Sequence, residues 1–186
     1  KVGLFNKAIK KNQKNLTENN IFIFGIKPTV PSSEFGYFLS KKIKGNINKV
    51  SRFLEKPNET KAKKIIQKKG YWNSGMFVWK AKTIINSFKE NAQDLYRIFF
   101  QNNEHYNTDS EVEFLKESFS ACKDISIDYA ILEKDPNISI VLSSFDWSDL
   151  GTWGSLQSFV EKDKQGNFKN SSNIHLFNSK ICLVKS

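Results

Sequence analysis

Cysteine, histidine and arginine are scarce in this sequence of 186 residues. The two cysteines, Cys122 and Cys182, and the two histidines, His105 and His175, are isolated from one another. Their spacing excludes a disulfide framework and argues against a zinc site built from these residues. No internal repeat or low-complexity linker interrupts the chain, whose length suits one domain with a core of its own.

Long apolar runs are also missing. No stretch reaches the roughly 18 apolar residues that a membrane-spanning helix needs, and the start, "KVGLFNKAIKKNQKN", lacks the hydrophobic segment of a signal peptide. These absences predict a cytoplasmic protein that does not enter a membrane.

Positive charge is abundant, but it is almost entirely lysine. The formal net charge is +10, and Arg52 and Arg97 are the only arginines. Proteins that read nucleic acids rely strongly on the planar arginine fork, and the lysines here are spread along the chain. A solvated surface with a site for an anionic small molecule is therefore favoured over a nucleic-acid groove, which stays open as an alternative.

Apolar runs alternate with helical patterns along the chain. "IFIFGI" (Ile21–Ile26) and "ISIVLS" (Ile138–Ser143) are typical of strands buried on both faces. Alternation of such strands with helices predicts a layered α/β domain with a mixed, mostly parallel sheet. Because the chain begins within a helical pattern with no strand before it, the sheet is expected to be truncated at its N-terminal side.

Polar residues at strand ends are the candidates for binding, because ligands of α/β sheets lie beyond the carboxyl ends of the strands. In "RFLEKP", Glu55 can accept two sugar hydroxyls and Lys56 can neutralise a phosphate. The competing interpretation is a surface Glu–Lys pair before a helix cap.

Two further stretches place polar groups beside glycine. In "YWNSGMFVWK", Asn73 offers a donor and an acceptor for a sugar hydroxyl, unless it merely caps a turn. In "FDWSDLGTW", Asp149 can bind Mg²⁺, or can be an acid interacting with the dipole of a helix that begins at Thr152. Asp146 is the competing carboxylate in that segment.

The order of the segments is more specific than any one of them. "GIKPT", "FGY", "FLEKP", "YWNSGMFVWKA", "SIDYAILEK" and "WSDLGTW" together resemble the mannose-1-phosphate guanylyltransferase family, also called GDP-mannose pyrophosphorylase, from about Phe5 through Phe177. The resemblance implies a Rossmann-like nucleotidyltransferase domain.

The same resemblance implies roles for particular residues. The backbone at Gly36 would approach the sugar, Glu55 and Asn73 would bind its hydroxyls, and Lys56 would contact the sugar phosphate and act in catalysis. Asp149 would be one of two aspartates that bind Mg²⁺. Asp128 lies in the motif "SIDYA", which assigns it no contact.

The implied reaction is attack by mannose 1-phosphate on the α-phosphorus of GTP, which gives GDP-mannose and diphosphate. The glycine-rich Gly-x-Gly-Thr-Arg loop of the family is absent from these residues. Residues 1–165 are therefore expected to be the sugar-phosphate-binding part of the catalytic domain, inactive alone, and 166–186 the start of a following linker or β region. Exposed sheet edges would permit a homodimer.

Two other functions stay open at this point. The first is a nucleotidylyltransferase for another hexose 1-phosphate and another base. The sugar motifs favour mannose, but the residues that recognise the base are not in this sequence, so the base stays open. A non-catalytic sugar-nucleotide-binding or regulatory module would also account for the missing loop. A glycine-rich loop upstream in the reading frame would favour the enzyme.

Overall fold

The computed structural model describes residues 2–101, 103–143, 145–151, 156 and 160–185. The chain divides into two compact units, Lys1–Phe145 and Asp146–Ser186. The boundary expected after residue 165 stays a prediction. The helix expected from Thr152 falls largely outside the described residues.

The first unit contains a five-stranded sheet and its helices. The strands are β1 (Ile21–Ile26), β2 (Tyr37–Lys44), β3 (Ile47–Leu54), β4 (Tyr71–Val78) and β5 (Ile138–Leu142). The helices are α1 (Val2–Gln13), α2 (Glu59–Gln67), α3 (Ala81–Asn91), α4 (Gln93–Phe100) and α5 (Glu111–Ala121). A 3₁₀ turn covers Asn103–His105 and a π-helical turn covers Asp128–Leu132.

The strands pair in the order β1–β4–β2–β3–β5, and β5 pairs back with β1 to close the ring. Within this sheet the β1–β5 pair is parallel, and the other pairs are antiparallel. The prediction of a mostly parallel sheet was therefore wrong, although the sheet is mixed. The lysine-rich stretch after Ser40 continues β2 to Lys44, and Gly45 turns the chain directly into β3 with a φ of 58°. Such a tight hairpin joins antiparallel strands only.

Strand β1 is buried along its whole length, as its unbroken apolar sequence predicts. Its alternate side chains enter two separate clusters, because successive side chains of a strand point to opposite faces. Ile21 and Ile23 pack with Phe38, Phe53 and other core residues. Phe22 and Phe24 pack on the other face with Val141 and α1. Burial of each such side chain contributes roughly 1.5–3 kcal/mol to stability, so the sheet is a firm base for its end loops.

The second unit contains the short parallel pair β6 (Phe168–Lys169) and β7 (Leu183–Val184). The side chain of Asn167 connects its segments: Nδ2 donates to the Ser179 carbonyl at 2.9 Å, and Oδ1 accepts the Cys182 N–H at 3.0 Å.

Among the residues described, no helix combines the length and apolar character required to cross a bilayer.

Candidate functional site

The turn between β3 and α2 carries Glu55 and Lys56. Strand β3 ends at Leu54, and Asn58 caps α2 by accepting the Lys61 N–H on its side chain at 3.0 Å. Lys56 lies between these fixed points with a φ of 41°, in the left-handed region that costs an L-residue roughly 1–2 kcal/mol. The Lys56 side chain is exposed and forms no hydrogen bond or ion pair within the described part of the chain. Backbone strain of this kind is concentrated at functional sites in proteins.

Gly36 packs directly against Glu55 at the start of β2. A Cβ at this position would lie 2.5 Å from Glu55 Oε2 and 2.8 Å from the ring of Phe53. Real Cβ atoms do not approach neighbours so closely, so only glycine permits the present position of the Glu55 carboxylate. The backbone carbonyl of Gly36 also accepts the N–H of Asn73 at 2.8 Å, which joins this turn to β4.

Strand β4 bulges at Asn73 and Ser74. Its register with β1 shifts here, and Gly75 adopts a φ of 70°. The Asn73 Oδ1 accepts the N–H of Gly75 at 2.9 Å, and the Ser74 hydroxyl accepts the N–H of Met76 at 3.2 Å. These side chains thus satisfy backbone groups where the ladder is irregular. The amide and the hydroxyl within an apolar strand therefore have a local structural reason.

Asp128 contacts the other end of the same carboxamide. Its Oδ1 accepts a hydrogen bond from Asn73 Nδ2 at 3.0 Å, between residues separated by 55 positions in sequence. Asp128 begins the π-helical turn, whose residues Ala130, Ile131 and Leu132 are buried in the core.

The Glu55 carboxyl has a pKa above its ordinary value. Burial is the main cause, since it disfavours the charged form, and the charges of Asp128 and Glu133 act in the same direction. The ammonium group of Lys56 opposes them. Within the described residues the Glu55 carboxylate accepts no hydrogen bond. It is a half-buried acceptor available to a ligand.

Glu55 and Lys56 open into a cleft of about 510 Å³. Its lining is rich in charged side chains: Arg52, Glu55, Lys56, Lys61 and Glu133. Carboxylate acceptors beside cationic donors match a polyol that carries a phosphate. A larger cavity of about 700 Å³ lies between α3, α4 and α5, but its lining is mostly apolar and offers little to such a ligand.

The structure brings four of the five predicted site residues together. Gly36, Glu55, Lys56 and Asn73 meet at one edge of the sheet in the first unit. Their roles towards a ligand stay predictions. Asp149 belongs to the second unit, is exposed, and accepts the N–H of Gly151 on Oδ1 at 3.1 Å. The described residues include no group of three or more His, Cys, Asp or Glu side chains suited to a metal ion.

Sequence reasoning assigned no contact to Asp128 and overlooked Glu133. The positions of Asp128 and Glu133 depend on the way the segment after Ser126 folds. This segment forms a π-helical turn over Asp128–Leu132. A carboxylate immediately before the apolar letters "YAIL" was the available signal, because an acid at the start of a buried turn needs a partner.

Comparison with known proteins places these features in a family. The family model described as nucleotidyl transferase matches residues 4–166. The alginate biosynthesis protein AlgA of Pseudomonas putida is 34% identical over 167 residues, which cover 87% of this chain and 34% of that protein. The mannose-1-phosphate guanylyltransferase of Sinorhizobium fredii is 34% identical over 185 residues, which cover 98% of this chain and 36% of that protein. The chain thus spans about a third of the length of these curated relatives.

Solved structures agree with this at the level of the fold. A Thermus thermophilus protein described as a mannose-1-phosphate geranyltransferase superposes with a TM-score of 0.83 at 24% identity, over 99% of this chain and 53% of its own. A Helicobacter pylori protein described as mannose-6-phosphate isomerase superposes with a TM-score of 0.66 at 28% identity, over 79% and 59% of the two chains. The expected nucleotidyltransferase fold is confirmed, and the chain belongs to the nucleotidyl transferase family.

Proposed function

We propose that this chain supplies the sugar-phosphate-binding part of an enzyme that transfers GMP from GTP to α-D-mannose 1-phosphate, giving GDP-mannose and diphosphate. The observation that carries the proposal is that Gly36 contacts both Glu55 and Asn73, residues of separate segments, while Glu55 and Lys56 line one cleft. The similarity to proteins named mannose-1-phosphate guanylyltransferase supports mannose as the sugar.

Each residue has a role that suits its surroundings. Glu55 would accept sugar hydroxyls, because its carboxylate is half-buried and has no hydrogen-bond partner within the described chain. Lys56 would neutralise the phosphate with its unengaged ammonium group. The Asn73 carboxamide would bind a hydroxyl. Gly36 has no side chain, which leaves room for the Glu55 carboxylate in its present position.

The proposed reaction forms no covalent intermediate with the protein. A phosphate oxygen of mannose 1-phosphate attacks the α-phosphorus of GTP, and diphosphate leaves with the electron pair of the broken bond. Positioning of the sugar phosphate and offsetting of its charge are the contributions of this chain's residues.

Asp149 is the residue proposed to hold Mg²⁺. A carboxylate oxygen suits this hard cation, which is usually bound through one or two carboxylates together with substrate phosphates and water. The exposed position of Asp149 is compatible with such a site. Bound there, Mg²⁺ would offset the negative charge of the reacting phosphates.

Calorimetric titration with mannose 1-phosphate tests the proposal through the change Lys56→Ala. Binding is a suitable readout because these residues contain no glycine-rich loop for GTP. A charged hydrogen bond is worth about 1.5–3 kcal/mol, so we expect the substitution to weaken binding by about tenfold or more. The melting temperature should change little, since the side chain is exposed.

The matched control is Lys42→Ala, which removes another exposed lysine, on β2, away from the Glu55 turn. Lys42→Ala should bind mannose 1-phosphate like the unaltered protein. Failure of the unaltered protein to bind, or equal binding by Lys56→Ala, would contradict the proposal. Tighter binding of glucose 1-phosphate than of mannose 1-phosphate would instead favour a nucleotidyltransferase for another hexose.

A further inference from the structure

The orientation of the Asn73 side chain is determined at both ends. The backbone N–H of Gly75 can only donate, so the oxygen of the carboxamide must face it. The carboxylate of Asp128 accepts, so the nitrogen of the carboxamide must face that side. Each contact excludes the flipped amide. Within the described part of the chain, one N–H and one oxygen lone pair of Asn73 are left for a ligand.

Asp128 is held independently of this contact. The π-helical turn that it begins is anchored by buried side chains, and the N–H of Glu133 donates to the Asp128 carbonyl at 3.0 Å. The half-buried Asp128 carboxylate therefore approaches Asn73 from a turn whose following residues are packed in the core.

The negative charge of Asp128 is not required for the hydrogen bond. An asparagine at this position could accept the same Asn73 N–H through its amide oxygen. A carboxylate also repels the neighbouring Glu55 carboxylate, which is an unfavourable interaction for the fold alone. The charge therefore calls for an explanation other than folding.

We propose that Asp128 is a positioning residue of the sugar site: it holds the Asn73 carboxamide in one orientation, and its charge makes Glu55 a stronger acceptor of sugar hydroxyls. This inference rests on the proposed function, because it assigns Asp128 a role towards the same sugar phosphate. Asp128 itself is not proposed to touch the sugar.

The pH dependence of binding separates the two effects of Asp128. Glu55 must be ionised to accept two hydroxyls, and its pKa lies above the ordinary value. Binding should be full above this raised pKa and should be lost as the pH falls through it. The groups near Glu55 that carry charge are Lys56, Asp128 and Glu133, with Arg52 and Lys61 along the same cleft. Removal of the Asp128 charge should lower the pKa of Glu55 and move the loss of binding to lower pH.

The experiment compares Asp128→Ala with Asp128→Asn by calorimetric titration with mannose 1-phosphate across the acidic and neutral range. Asp128→Ala removes both the acceptor and the charge, so affinity at neutral pH should fall about tenfold, the lower end of the loss known for partners that orient metal ligands. Asp128→Asn keeps an acceptor, so its affinity at neutral pH should fall by less than about threefold. Its acid limb should nevertheless lie at lower pH than that of the unaltered protein.

The control is Asp124→Asn, the same change at an exposed position four residues earlier in the same segment. It should alter neither affinity nor pH profile. A ¹H–¹⁵N correlation spectrum of each variant establishes that it is folded. Asp128→Asn serves as the deciding variant if Asp128→Ala does not fold.

The outcomes separate this inference from the function on which it rests. Absence of binding by the unaltered protein would overturn the proposed function. Normal binding by the unaltered protein, together with unchanged affinity for Asp128→Ala or an unmoved acid limb for Asp128→Asn, would overturn the role of Asp128 alone.

Discussion

The folded structure disfavours the charged form of the Glu55 carboxyl. This carboxyl is half-buried, is close to two other carboxylates, and forms no hydrogen bond within the described chain. Each of these features disfavours its charged form in the folded protein. A sugar whose hydroxyls donate to the carboxylate would remove part of that cost, so the same features favour a ligand.

The stability of the protein should consequently depend on pH through Glu55. Because the folded pKa lies above the unfolded one, the folded state binds the proton more tightly. The favourable contribution is complete below the unfolded pKa and is lost as pH rises through the folded pKa. Glu55→Gln keeps the shape without the charge, so we expect a higher melting temperature at pH 7 and no gain at low pH, where Glu55 is already protonated. The measurement is thermal unfolding at both pH values.

Loss of binding should accompany this gain in stability. Glu55→Gln should bind mannose 1-phosphate at least about tenfold more weakly, because an amide offers one acceptor atom in place of two charged ones. Glu34→Gln, at an exposed acid, is the control and should leave both quantities unchanged. A lower melting temperature for Glu55→Gln at pH 7 would show that Glu55 is paired in the folded state.

At the scale of elements, the start of β2 and the end of β3 approach each other closely. Tyr37 pairs with Leu54 in the last register position, so Gly36 and Glu55 face each other just beyond the ladder. The absence of a side chain at Gly36 is what permits the approach.

The change Gly36→Ala should separate these two elements. The new Cβ would overlap Glu55 and the rigid ring of Phe53, so overpacking should cost about 1–3 kcal/mol. Displacement of Glu55 should also weaken binding of mannose 1-phosphate. Urea unfolding and calorimetric titration measure the two effects. Gly3→Ala is the control, because a Cβ at Gly3 has no neighbour within 4 Å among the described atoms; an equal loss of stability in both variants would contradict the explanation.

The sequence predicted individual elements better than their pairing. The apolar runs of β1 and β5 are local signals, and the structure confirms both strands. The direction of pairing depends on contacts between distant segments, as in the pairing of β2 with β3 around the tight turn at Gly45. Likewise, the Asn73–Asp128 contact joins positions whose proximity only the closed ring of strands creates.

At the scale of the whole molecule, the net charge of +10 can serve either a small anion or a nucleic acid. In the described part of the chain, exposed lysines occur on several elements of the first unit, among them α1, α2 and the β2–β3 hairpin. The two arginines, Arg52 and Arg97, lie on β3 and α4. Lysines spread over several elements favour solubility and attraction of anions in general, whereas the proposed sugar-phosphate site uses only the few charges near Glu55.

Salt dependence of binding discriminates between the two partners. A protein that neutralises several phosphates of a duplex loses about 10³–10⁵ in affinity between about 50 and 200 mM salt. Mannose 1-phosphate has a single phosphate, so its affinity should fall by less than about tenfold over that range. A DNA or RNA duplex should bind weakly, with a steep dependence on salt, and should not displace the sugar phosphate.

Lys56→Ala should abolish most of the sugar-phosphate binding while leaving duplex binding unchanged, because only a local site depends on one lysine. Displacement of mannose 1-phosphate by a duplex at about 200 mM salt would instead show that the exposed lysines and the cleft at Glu55 bind nucleic acid together.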